Sequence, residues 1–135
     1  MNNDPALLAA AVAEHRWFHS IDLGAGVVTP GDKSADILAL ERQSILDGVD
    51  VRGRSVLDIG AWNGFFSFEA KRAGAARVLA TDSFVWAHPM YRGRETFELA
   101  RRALGMDIEA LEVDAMDLDP ERLGTFDVVL FLGVF

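Results

Sequence analysis

The stretch Val56-Leu57-Asp58-Ile59-Gly60-Ala61-Trp62-Asn63-Gly64-Phe65-Phe66 decides how this chain is read. An apolar run reaches an acid, turns through two glycines and restarts as an amphipathic pattern. It reads as a buried strand, a tight loop and the N-terminus of a helix, the place where α/β proteins hold nucleotides. A dinucleotide loop needs glycine at its second and third motif positions, because the backbone touches a pyrophosphate and the helix packs close on the strand. Counting from Gly60, those positions hold Trp62 and Phe65. Two large aromatics there oppose the close approach of a pyrophosphate, which argues against an NAD loop.

S-adenosylmethionine (SAM) has no phosphate to accommodate. Asp58, at the strand end, suits the ammonium of its methionine tail, directly or through water. Gly60 lets the backbone pass close to a ligand, and Gly64 permits an unusual dihedral where the helix starts. The plainer alternative is an ordinary strand-turn-helix in which Asp58 only caps the turn. Val56 to Phe66 resembles motif I of the class I SAM-dependent methyltransferases. Trp17-Phe18-His19-Ser20-Ile21-Asp22-Leu23, followed by Gly26-Val27-Val28-Thr29-Pro30-Gly31, resembles the N-terminal lead of a bacterial subgroup similar to the tRNA wobble-uridine (U34) carboxymethyl- and methyltransferases.

The resemblance runs from Trp17 to Phe135. It implies an α/β fold with a Rossmann-like parallel sheet in the order 3-2-1-4, SAM as cofactor and S-adenosylhomocysteine (SAH) as product. It implies cofactor contacts from Asp58, Gly60, Ala61, Trp62, Asn63 and Gly64 in the first loop, and from Asp82 and Ser83 after strand 2. Asp114 and Ala115 after strand 3 would meet the adenine, and Leu132 and Gly133 at the end of strand 4 would complete the site. The acceptor, a small molecule or a tRNA, stays open.

The flanking sequence supports the alternation on its own. Ala76 to Asp82 is a second short apolar run ending in an acid, 24 positions after Asp58. That is near the roughly 20-residue spacing of a ribose-binding carboxylate. Such an acid favours a nucleoside without separating SAM from NAD, and a turn cap is its plain alternative. Ile108 to Val113 reads as strand 3, with Asp114 either at the adenine or in a solvated acidic loop. Phe126 to Phe135 reads as a central strand buried on both faces. Helices are expected over 5–16, 34–47 (Ser34 capping, Gly48 closing), 65–73 and 94–104, with a helical turn near Pro120. Residues 1–50 form a helical lead or lid, and 51–135 a SAM-binding half domain. The sheet stops at the fourth strand where the family has seven. Its bare apolar edge implies a missing C-terminal part, a partner chain or self-association.

Composition narrows the rest. The chain has 135 residues, enough for one domain, and a net charge of −8, which disfavours nucleic-acid binding by bulk electrostatics. It has no cysteine, so disulfides and thiolate metal sites are excluded and the cytoplasm is the default compartment. His15, His19 and His88 lack metal-ligand spacing, so no metal is expected. No apolar run approaches the length of a membrane span. In the lead, Trp17 and Phe18 either shield the cofactor or anchor the first helix. His19 is the candidate base or substrate-orienting group, with a merely polar role as its alternative. Lys33 is a candidate for an anionic group. The basic and aromatic residues that hold a carboxylated SAM in the tRNA enzymes find no convincing match. A truncated, non-catalytic SAM-binding or interaction module is the remaining alternative.

Overall fold

A computed structural model describes residues 4–132. Four parallel strands form one sheet in the order β3-β2-β1-β4: β1 (Ser55–Ile59), β2 (Arg77–Asp82), β3 (Glu109–Glu112) and β4 (Val128–Phe131). The expected order is the observed one. In register, Ile59 pairs with Thr81 of β2 and Phe131 of β4, and Asp82 pairs with Glu112 of β3. All four C-terminal ends therefore reach one edge of the sheet, where open α/β proteins bind ligands.

The helices are α1 (Pro5–Ala13), α2 (Ala35–Leu46), α3 (Phe65–Arg72), α4 (Phe84–Ala87), α5 (Gly93–Leu104) and α6 (Pro120–Leu123). Ser34 caps α2 by accepting from the Ile37 N–H. Asp4 caps α1, with Pro5 in the first turn, where a missing N–H costs nothing. Gly48 does not close α2. Asp47 is its C-cap in ordinary right-handed geometry, because no left-handed turn follows. Gly74 and Gly105, at φ +102° and +64°, do terminate α3 and α5. Helix α4 lies between β2 and α5, where no helix is expected from the sequence.

The lead is not a separate layer. Val12, Trp17, Ile21, Leu23 and Leu46 share one buried cluster with Val56, Phe66, Val78 and Phe97. Residues 17–33 are held by bridges between His19 and Lys33 and between Asp22 and Val28. Gly31 lies against the His19–Ser20 backbone so closely that a Cβ would stand 2.2 Å from the His19 carbonyl carbon.

Strand β4 departs from expectation. Only Leu130 is buried, while Val129 and Phe131 are 53% and 57% exposed. Leu130 enters the core, and Val129 lines an apolar hollow of about 300 Å³ with Leu57, Leu118, Leu123 and Phe126. An apolar run signals a buried strand only where something covers each face. Among the described residues, β4 pairs only with β1. Gly133, Val134 and Phe135 lie outside the described residues.

Candidate functional site

A cleft of about 610 Å³ opens at the C-terminal edge of the sheet. Ile59 and Gly60 border it from β1, Asp82 and Ser83 from β2, Asp114 and Ala115 from β3, and Phe131 from β4. The expected groups Gly60, Trp62, Asp82, Ser83, Asp114 and Ala115 are thus brought together. Phe84, Val85, Val113 and Met116 add apolar wall. Asp58, Ala61, Asn63, Gly64 and Leu132 do not line it.

The loop geometry explains that division. The N–H groups of Gly60 and Ala61 both donate to the Thr81 carbonyl at 2.9 Å, pinning the loop to β2. Trp62 is left-handed at φ +55°, a conformation that costs a residue with a Cβ about 1–3 kcal/mol. Its surroundings hold it there. Its N–H donates to Asp82 Oδ2 at 2.9 Å, and its carbonyl accepts from Trp86 Nε1 at 2.7 Å. Its ring stacks on Phe18 and meets Tyr91 edge-on, with centroids 5.8 and 5.6 Å apart. Gly64 sits at φ +101°, where a Cβ would come within 2.9 Å of the Phe68 and Phe97 rings. It serves close packing of α3 and does not line the cleft.

Asp82 is the best-placed polar group of the cleft. Oδ1 accepts from the Ser83 N–H at 2.7 Å and Oδ2 from that of Trp62. Each oxygen keeps a free lone pair for a hydroxyl donor. Partial burial raises its pKa, and the two backbone N–H donors pull the other way. Asp58 sits one layer deeper. It is buried and accepts from Ser67 Oγ at 2.7 Å. Burial raises its pKa to about 6, with Ser67 opposing and Asp82 adding to the rise. Asp114 Oδ1 accepts from the Met116 N–H, capping a 3₁₀ turn at Ala115–Asp117.

The lead residues divide differently from the sequence reading. Asn63 is fully buried, and its Oδ1 accepts from the N–H groups of Phe18 and His19 at 2.8 and 2.9 Å. Its Nδ2 donates to Thr96 Oγ1 at 2.6 Å. Asn63 is therefore the clamp that joins lead, loop and α5. Trp17 is buried and donates from Nε1 to the Val12 carbonyl, so it anchors α1, and it does not line the cleft at the sheet edge. His19 Nδ1 accepts from the Phe65 N–H at 3.3 Å and occupies one orphan donor of α3. Burial, helped by Lys33, lowers its pKa to about 3. A neutral imidazole whose Nδ1 lone pair is engaged carries its proton on Nε2 and is unsuited to a base. Lys33 is held by Glu41, Nζ lying 2.6 Å from Oε1.

Sequence reasoning missed Arg16, Asp32, Val85 and Tyr91. With Trp17, Phe18 and Trp62 they enclose a second cavity of about 240 Å³. Trp62 and Val85 border both spaces. Nothing in the local sequence around Tyr91 or Asp32 marks this meeting, which depends on the lead folding back over Trp62, α4 and the segment before α5.

No protein-family model matches the chain. It is 33% identical over 87 residues to a tRNA U34 carboxymethyltransferase of Cellvibrio japonicus, a match covering 63% of this chain and 25% of that protein. The chain thus spans about a quarter of the length of the curated relatives it matches. The N-terminal domain of EvdMO1, solved in the presence of SAH and D-fucose, superposes with a TM-score of 0.69 at 19% identity. That superposition covers 93% of this chain and 52% of the other. A putative RNA methyltransferase of Pyrococcus horikoshii gives a TM-score of 0.53 at 19% identity over 96% of this chain and 57% of its own. The chain has the Rossmann-like fold of the class I SAM-dependent methyltransferases and resembles the tRNA U34 type.

Proposed function

We propose that the chain is the cofactor-binding part of a SAM-dependent methyltransferase. The observation that carries this reading is Asp82, held at the end of β2 by two backbone donors with lone pairs free toward a 610 Å³ cleft. In this reading its carboxylate takes the ribose hydroxyls, the backbone at Gly60 admits the ligand, and Asp114 and Ala115 border the adenine. When bound, SAM supplies a methyl group on a cationic sulfur; the group passes to an acceptor lone pair as the carbon–sulfur bond breaks onto sulfur, leaving SAH and, from a protic acceptor, a proton. Trp62, with Phe18 stacked against it, forms an apolar wall that keeps water from the cleft. The lead serves as a fixed cover, tied down through Asn63.

Three finer points belong to the same proposal. A small acceptor suits a net charge of −8 better than a tRNA does. The exposed face and open edge of β4 suit a further strand, from a longer chain, a partner or a second copy. A cysteine-free composition fits the cytoplasm. No helix among the described residues is long and apolar enough to cross a membrane.

Equilibrium dialysis of labelled SAM, with NADH as competitor, tests the reading. Saturable binding that NADH leaves unchanged and Asp82→Ala weakens is the expected result. A folded chain that binds NADH and not SAM overturns it.

A further inference from the structure

We infer that Trp86 is a positioning residue for the cofactor: its indole N–H holds Trp62 in its left-handed turn and so keeps the Trp62 N–H on Asp82. This rests on the methyltransferase reading and deepens it, since Asp82 is the group read as the ribose acceptor. Trp86 itself does not line the cleft.

The relay has two links. Trp86 Nε1 donates to the Trp62 carbonyl at 2.7 Å, and the Trp62 N–H donates to Asp82 Oδ2 at 2.9 Å. The two groups of Trp62 belong to the peptide planes on either side of its Cα. Each bond fixes one plane, and together they fix the residue at φ +55°. The Phe18 and Tyr91 contacts act on the Trp62 ring and supply no partner to either peptide group. Upstream, the Gly60 and Ala61 N–H groups are already committed to the Thr81 carbonyl, so the loop cannot follow if Trp62 relaxes. Once released, a left-handed tryptophan turns toward negative φ, because its Cβ crowds the following carbonyl. That rotation breaks the aim of its N–H at Asp82.

Trp86 is seated as a fixed donor. It lies buried on α4, its ring 5.2 Å from that of Phe97, with the Arg94 guanidinium 5.1 Å from its centroid. Gly93, the first residue of α5, lets the two helices meet. A Cβ there would stand 2.6 Å from the Val85 carbonyl oxygen and 3.0 Å from Trp86 Cδ1. A buried indole N–H needs an acceptor, and the Trp62 carbonyl supplies it. The far end of the relay is electrostatic. Burial raises the Asp82 pKa, and the N–H donors of Trp62 and Ser83 oppose that rise. A carboxylate that loses the Trp62 donor is less well aimed and takes up its proton at higher pH.

Calorimetric titration of SAH and carboxyl NMR of the full chain test this. Trp86→Phe keeps an aromatic ring against Phe97 and removes the donor. Replacing Trp86 by benzothienylalanine, whose sulfur stands where the N–H was, removes the donor alone and serves if the phenylalanine variant does not fold. In either variant SAH affinity should fall about tenfold. The Asp82 carboxyl carbon, assigned by its loss in Asp82→Asn, should titrate at higher pH in the ligand-free chain. Trp62→Gly supplies a residue for which positive φ carries no penalty. In that background the Trp86 substitution should change SAH affinity by less than about twofold. A merely structural Trp86 would lower stability without moving the Asp82 titration. An unmoved titration, an SAH affinity within about twofold of the parent in a folded variant, or an equal loss in the Trp62→Gly background overturns the relay. If the parent does not bind SAH the cofactor reading fails, and the ligand-free Asp82 titration still decides the relay, so the two failures are distinguishable.

Discussion

His19 offers the sharpest quantitative test, because the structure makes it a neutral helix cap where the sequence suggested a base. The perturbation is His19→Asn. An asparagine Oδ1 reaches the place of Nδ1 and can accept from the Phe65 N–H, but it does not titrate. In the folded chain burial lowers the imidazole pKa from an ordinary 6.5 to about 3. Between those values the unfolded chain binds a proton that the folded chain refuses, so stability falls as pH drops below 6.5. At about pH 5 the gap is roughly 1.5 units, and at 1.36 kcal/mol per unit the parent loses about 2 kcal/mol relative to pH 8.

Asp58 works in the same window with the opposite sign. Its folded pKa is raised from 3.8 to about 6, so the folded chain takes up the extra proton and gains stability as pH falls through 6 toward 3.8. The parent's own pH profile therefore mixes the two. The difference between parent and variant isolates the imidazole, since Asp58 and the exposed carboxylates are common to both. Urea denaturation at pH 8 and pH 5 measures it. The variant should gain about 2 kcal/mol on the parent between the two conditions. Parallel pH profiles, or a His19 imidazole that titrates near 6.5 by NMR, would refute the buried neutral cap.

Other changes test neighbouring parts of the account. Asp82→Ala should weaken SAM binding by roughly 10- to 150-fold through loss of a charged hydrogen-bond acceptor, measured by calorimetric titration. Asn63→Leu leaves the Phe18 and His19 N–H groups buried without an acceptor. At about 1–3 kcal/mol for each group, it should destabilise the chain measurably in urea and make the lead sensitive to limited proteolysis. Gly64→Ala places a methyl 2.7 Å from the Phe97 ring at a φ of +101°. It should cost about 1–3 kcal/mol or more in thermal unfolding, with no larger effect on SAM affinity than the lost stability explains. Asp58→Asn removes a buried carboxylate whose protonation the fold favours, so in urea denaturation the variant should lose more stability than the parent on moving from pH 7 to pH 4.5.

How much of this was legible in the sequence depends on range. The strand-loop-helix of Val56–Phe66 followed from a short apolar run ending in an acid, which is a local signal, whereas the sheet order followed from the resemblance to the class I methyltransferases. Asp82 was found by spacing alone, because parallel strands bring successive C-terminal ends to one edge whatever lies between. The roles of Asn63, Trp17 and His19 were not legible. Each is set by a contact across the fold, such as the 45 positions between Phe18 and Asn63, and a buried polar residue looks the same in sequence as a ligand-binding one. The exposure of Val129 and Phe131 was missed for the reverse reason, since an apolar strand carries no mark of whether its faces are covered.

The most direct test of the central claim is a crystal structure of the chain with SAH. The account predicts SAH in the cleft at the C-terminal edge of the sheet, its ribose hydroxyls on Asp82 and its adenosine between Gly60 and Asp114. The aromatic cavity of Phe18, Trp62 and Tyr91 should remain separate beside it. SAH bound elsewhere, or bound with its ribose away from Asp82, would contradict the account.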